Sequence, residues 1–222
     1  MWIAVAAVLF VATVALAALL VQNYRSPVEP AAVRFLVLSP DKTNFYGGLP
    51  AGAGVTSLNA GVISPDGSKI AFTARDEVGK VMLWVRALDS ITAQLLPGTE
   101  GAGLPFWSPD SKSIGFFVPG KLKKIDVAGG PPQTICDAPN GRGGTWSRDG
   151  VIVFAPSNPS PSLLRVSASG GEPSPVTKLQ TGESDHRLPW FLPDGKHFLY
   201  TASVTGEYSR LVFAGSLDSL QP

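Results

Sequence analysis

Few residues in this chain are equipped for chemistry. It carries two histidines, His186 and His197, and one cysteine, Cys136. A Ser/His/Asp relay can be drawn on paper around His186, which follows Asp185, but that chemistry asks for a nucleophile on a sharp strand-to-helix elbow, and no G-x-S-x-G occurs. H-E-x-x-H is absent, and a lone cysteine makes neither an internal disulfide nor a cysteine-based zinc site. Gly47-Gly48 and Gly52-Ala53-Gly54 are not followed by the G-K-[ST] of a phosphate loop, and the protein-kinase set of Gly-rich loop, V-A-I-K, H-R-D and D-F-G is missing. The sequence thus predicts no catalytic residue, no metal ligand and no cofactor. Recognition remains. Arg142, Asp185, His186 and Arg187 are the candidate groups for binding a protein or small ligand, all placed on predicted loops. Lys121, Lys123 and Lys124 read as a solvent-facing strand edge rather than a phosphate site.

These groups need a frame, and the frame is a repeat. Ser64-Pro65-Asp66-Gly67 returns as Ser108-Pro109-Asp110-Ser111, Ser147-Arg148-Asp149-Gly150 and Leu192-Pro193-Asp194-Gly195, at intervals of 44, 39 and 45 residues. Proline is preset for the second position of a type I turn, aspartate suits the third with its carboxylate near free N–H groups, and glycine closes the fourth. Serine at the first position can accept a backbone hydrogen bond. Each copy offers one carboxylate and no alternating Asp/Asn ligands follow it, so the turns are structural rather than calcium loops. Ile63, Trp107, Trp146 and Phe191 precede the turns, and short apolar strands follow at 70–74, 114–118, 151–155 and 197–202. Trp84, Trp107, Trp146 and Trp190 fall at equivalent or near-equivalent strand positions, which assigns them to packing between units rather than to a ligand cage.

A period near forty with one turn and several short strands marks propeller blades. The expected fold is all-β, a partial β-propeller of about three and a half four-stranded antiparallel meander blades, preceded by one N-terminal transmembrane helix. Its domains are an anchor over 1–21, an extended spacer over 22–32, a strand (33–38) with a Gly/Pro-rich loop up to residue 57, and the propeller over 58–222. The fourth blade lacks a last strand, so its open edge is free to pair with another chain or with further blades. In a meander blade the Ser-Pro-Asp-Gly turns and the Gly-Gly corners share one face. The longer, more varied loops share the other, and there the candidate binding residues are expected.

Residues 2–21 are apolar except for Thr13. As a helix they would span roughly 30 Å, a bilayer core. No Lys or Arg precedes the run, which argues for an uncleaved anchor over a signal peptide. Arg25 and Arg34, after it, weakly favour a cytoplasmic remainder. With 18 basic and 17 acidic residues the balance gives no electrostatic case for nucleic acid. Cys136 reads as a small buried apolar residue.

Phe106-Trp107-Ser108-Pro109-Asp110 and its copies, with the corners Asp126-Val127-Ala128-Gly129-Gly130 and Val166-Ser167-Ala168-Ser169-Gly170-Gly171-Glu172-Pro173, resemble the WD-like repeats of TolB-type propellers. The resemblance covers about residues 58–217. An anchor, a spacer and such a propeller look like the C-terminal half of bacterial receptor serine/threonine kinases, and 84–90 and 120–126 are especially similar to that group. The resemblance implies an extracytoplasmic, single-pass sensor in a bacterial cell membrane, here without any kinase residue. Two other contexts fit the same repeats: a free TolB-like periplasmic scaffold, and the propeller of a prolyl-oligopeptidase-like hydrolase.

Overall fold

The computed structural model describes residues 36–47, 61–156, 160–204 and 210–218, together with residues 2, 5, 6, 10 and 12–17 near the N-terminus. The chain divides into two units, Met1–Leu38 and Ser39–Pro222. In the first, the described residues 2, 5, 6, 10 and 12–17 are helical. The rest of the expected anchor, and the spacer over 22–32, lie outside the described residues, among which no helix is long and apolar enough to cross a membrane.

The second unit is all β, in four antiparallel sheets. Blade one holds β1 (Thr43–Phe45), β2 (Gly61–Ile63), β3 (Lys69–Asp76), β4 (Val81–Ala87) and β5 (Gln94–Leu95). Blade two is β6 (Gly103–Trp107), β7 (Ser113–Val118), β8 (Lys121–Asp126) and β9 (Gln133–Asp137) in meander order. Blade three repeats this with β10 (Gly144–Trp146), β11 (Val151–Phe154), β12 (Leu164–Ser167) and β13 (Ser174–Pro175), and blade four has three strands, β14 (Glu183–Phe191), β15 (His197–Val204) and β16 (Arg210–Ser216). The first strands of successive blades touch, β2 to β6, β6 to β10 and β10 to β14, so the sheets form an arc around their inner strands.

Three expectations need correction. Of the strand expected over 33–38, residues 36–38 are irregular and 33–35 lie outside the described residues, while a strand forms at Thr43–Phe45. A run of β-formers becomes a strand only where an edge is free to pair, and that edge is the far half of β3, where Phe45 opposes Ala74 while Gly61 of β2 opposes Phe72. The lysine-bearing strand β8 is no sheet edge, since it lies between β7 and β9. Residues 183–187, expected in a loop, begin β14.

Alternation along the second strand of each blade explains the core. Each blade has a backward face toward the blade before it and a forward face toward the next. Ala71, Leu83 and Val85 on the forward face of blade one meet Trp107, Ile114, Phe116 and Ile125 of blade two. Phe106, Phe117 and Leu122 meet Ile152, Phe154 and Val166 at the next seam. Val153, Ala155, Leu163 and Val176 meet Phe198 and Tyr200 at the third. Cys136 is buried in the middle seam.

Candidate functional site

The repeated turns set the inner strands. In blade one Gly67 N donates to Ser64 O at 2.8 Å, Lys69 N donates to Ser64 Oγ at 2.9 Å, and Ser68 N donates to Asp66 Oδ1 at 2.9 Å. Ser108 Oγ accepts in the same way from Ser113 N at 2.8 Å and Ser147 Oγ from Val151 N at 3.1 Å. The fourth turn residue has positive φ in every copy: Gly67 71°, Gly150 76°, Gly195 72° and, against the steric preference of a side chain, Ser111 60°. Ser111 Oγ accepts from Asp66 N at 3.1 Å, tying the second turn to the first.

Four residues before each of the last three turns lies a second special position. Leu104 (φ 49°), Gly143 (φ 106°) and Leu188 (φ 51°) all enter the left-handed region there, and the pairing of β6 and β14 is irregular at the same place. Such a bulge re-aims the residues after it. Val62, Phe106, Thr145 and Trp190 follow, two residues before their turns, with Ile63, Trp107, Trp146 and Phe191 one residue later. Seams between neighbours are fastened here: Trp107 Nε1 donates to Val62 O at 2.9 Å, Phe191 N to Thr145 Oγ1 at 3.1 Å, and Leu188 N to Arg142 O at 3.0 Å.

These inner-strand ends enclose a cleft of about 260 Å³ on the turn face, with contributions from all four blades. Its walls are aromatic and aliphatic: Ile63, Phe106, Trp107, Trp146, Trp190 and Phe191. Trp190 is 65% exposed and Ile63 55%, so two large apolar side chains face solvent at a concave surface. At the rim the second turn residue is Pro65, Pro109 and Pro193 in three blades and Arg148 in the third. Arg148 is exposed and is the one guanidinium among the lining residues. A smaller cavity of about 80 Å³ lies at the bulges, against Leu104, Gly143 and Leu188. The cleft can hold an apolar group by stacking and an anion by Arg148.

The four residues singled out from sequence lie elsewhere, towards the opposite ends of the inner strands, where Arg142 O accepts from Leu188 N next to Arg187 and His186 alone turns into the interior. Arg142, half-buried, precedes β10, with its N donating to Ala155 O at 2.8 Å. Asp185 and Arg187 form an ion pair along β14, and Asp185 Oδ1 accepts from Ser203 Oγ at 3.0 Å. His186, between them in sequence, points the other way and is 1% exposed. Its Nδ1 meets Thr177 Oγ1 at 2.8 Å and its Nε2 meets Glu183 Oε2 at 2.9 Å, with the Tyr200 ring 4.7 Å away. Thr177 Oγ1 already accepts from Leu163 N at 2.9 Å, which frees its proton for Nδ1 and leaves Nε2–H to donate to the carboxylate. Burial opposes ionisation of Glu183, but the Gln180 amide and His186 outweigh it and hold the carboxyl below its usual range. Burial, then the Glu183 charge, pushes the Tyr200 hydroxyl up. Both ring nitrogens of His186 are thus spent inside the fold. His197 is exposed and pairs with Asp194 at 2.5 Å. Among the described residues no group of three or more His, Cys, Asp or Glu side chains is placed to hold a metal ion.

Sequence reasoning missed the cleft. Its available signal was Arg148, which breaks the proline of the repeated turn.

Four meander sheets in an arc, joined through their innermost strands, make this chain a partial β-propeller. No family model matches it. Among solved structures it is similar to a putative TolB from Agrobacterium tumefaciens, 18% identical, with a TM-score of 0.61 and coverage of 74% of this chain and 69% of that one. It is also similar to the β-propeller domain of Cps50 (Swd1) from Myceliophteria thermophila, 12% identical, with a TM-score of 0.51 over 65% of this chain and 48% of that one. Both likenesses concern the fold. Among curated sequences it is 30% identical over 144 residues to an uncharacterized peptidase, YuxL, of Bacillus subtilis, covering 64% of this chain. The chain spans 21% of the length of that relative.

Proposed function

We propose that this chain is a non-catalytic binding module, carried at a bacterial cell membrane by its apolar N-terminal segment with the propeller outside, and that its cleft accepts an apolar side chain lying next to a carboxylate. One observation carries the reading: Arg148 replaces the repeat's proline at the rim of a cleft walled by Trp146 and Trp190. The probe is the peptide Ala-Pro-Phe with a free carboxylate, titrated into the purified chain by tryptophan fluorescence. The free acid should bind up to about fivefold more tightly than the amide, because an ion pair to an exposed guanidinium is worth about 0.2–1 kcal/mol, and Arg148→Ala should erase the difference. Equal binding of acid and amide would remove Arg148 from the site.

The resemblance to receptor serine/threonine kinases supports a sensor that reports across the membrane. The peptidase-named relative supports a second reading, in which the propeller accompanies a hydrolase domain and gates access to it. A native gene product that is labelled by a fluorophosphonate selects the hydrolase, one that autophosphorylates with ATP selects the kinase, and one that does neither selects the free scaffold.

A further inference from the structure

Blade three makes its turn with one residue fewer than the other blades. Lys69 N bonds Ser64 Oγ and Ser113 N bonds Ser108 Oγ across five residues, and Leu192 N bonds His197 O across the same span. In blade three Val151 N reaches Ser147 Oγ across four. The residue left out is Ser68, Lys112 or Lys196 in the other copies, whose amides donate to Asp66, Asp110 and Asp194 Oδ1 at 2.9, 3.1 and 2.9 Å. The Ser64 and Ser108 hydroxyls add bonds of 2.5 and 2.6 Å to the first two carboxylates. Asp149 has no counterpart to these bonds. Its turn still closes, with Gly150 N donating to Ser147 O at 3.2 Å, but the Asp149 carboxylate is exposed and bonds no group of the protein among the described residues. Arg148, in place of the proline, is equally exposed and is not ion-paired with Asp149. The inner strand that leads into this turn, β10, has β6 on one side and β14 on the other, so both groups stand open between two blades that are present.

The one turn that lacks the proline thus also lacks the lock on its carboxylate, and the two changes set a guanidinium and a carboxylate side by side at the rim of the cleft. We propose that this turn recognises the paired charges of a free α-amino acid with a large apolar side chain, which deepens the cleft reading above and rests on it. Arg148 takes the carboxylate, Asp149 takes the ammonium, and the side chain enters between the aromatic walls. Both charges of such a ligand leave one carbon, and consecutive residues suit that spacing. A cleft of about 260 Å³ is smaller than the roughly 300–1,000 Å³ of most small-molecule sites, which fits a single amino acid.

Three ligands of nearly one shape separate the contributions: L-phenylalanine, 3-phenylpropanoate, which lacks the ammonium, and L-phenylalaninamide, which lacks the carboxylate. Each is titrated into the purified chain at neutral pH by tryptophan fluorescence. L-Phenylalanine should bind about two- to fivefold more tightly than 3-phenylpropanoate, the range for an exposed ion pair. Asp149→Asn should remove that preference and leave 3-phenylpropanoate binding as in the wild type. Because Asp149 anchors no turn amide, the variant should also keep the wild-type Tm. Equal binding of L-phenylalanine and 3-phenylpropanoate, or a preference that survives Asp149→Asn, overturns the proposal while leaving the cleft reading in place. Equal binding of L-phenylalanine and its amide removes the cleft reading instead, and the proposal with it.

Discussion

His186→Ala removes a side chain that is 1% exposed and whose two ring nitrogens bond Thr177 and Glu183 at 2.8 and 2.9 Å. The neutral bond contributes about 1 kcal/mol and the carboxylate bond about 1.5–3 kcal/mol. The vacated space against Tyr200 adds a cavity term. The loss totals roughly 3–5 kcal/mol, which in a domain of this size lowers Tm by roughly 6–20 °C. His186→Asn keeps an acceptor for the Thr177 hydroxyl and should fall between. Thermal unfolding followed by circular dichroism measures both variants, with peptide binding assayed below the transition. Wild-type Tm in His186→Ala, together with lost binding, would refute the interior assignment and return His186 to the role of a ligand contact.

Three further outcomes follow from the same geometry. Ser111→Gly loses the bond to Asp66 N but relieves the strain of φ 60°, two effects of about 1 kcal/mol each, so urea unfolding should find it near wild type, whereas Ser111→Ala keeps the strain and should lose about 1–2 kcal/mol. Burial first, then the Asp137 and Glu172 charges, pushes the Cys136 thiol up to about 11, so at pH 8 a disulfide reagent should modify the native chain at least about 100-fold more slowly than the unfolded one. The turn carboxylates lie low, Asp66 and Asp110 held chiefly by the Ser64 and Ser108 hydroxyls and Asp194 brought to about 2 by the His197 amide and ring. A depressed folded-state pKa stabilises above the ordinary aspartate value of 3.8 and loses that contribution as pH falls towards 2, so Asp194→Asn should be less stable than wild type at neutral pH, converge with it near pH 2 and thereby flatten the acid limb of a stability–pH profile.

The turns were legible because their determinants are local: within five residues the side chains and the fourth position of each copy specify most of its hydrogen bonds and φ. The four blades followed from the period. Longer-range choices were not legible. Thr43–Phe45 becomes a strand, and 36–38 does not, because of what the far half of β3 leaves unpaired. His186 looks like a loop residue beside two charges until β14 pairs with β15, and alternation then turns it inward while Asp185 and Arg187 stay together on the other side. The four tryptophans read alike in sequence, yet Trp107 is buried and bonded while Trp190 is open. Trp107 stands directly before its turn and Trp190 one residue earlier, at the position of Phe106, so the two side chains leave their strands on opposite sides; the left-handed φ of Leu104 and Leu188, shared by both strands, has no warning in these non-glycine residues.

The indole N–H signals of the chain's five tryptophans offer the most direct test that the inner-strand cleft is the binding site. In a 15N-edited NMR titration with Ala-Pro-Phe, Trp146 and Trp190 should shift together and saturate, the shifts should weaken in Arg148→Ala, and Trp84, outside the cleft, should stay in place. Saturating shifts at Trp84 with Trp146 and Trp190 unmoved would contradict the account.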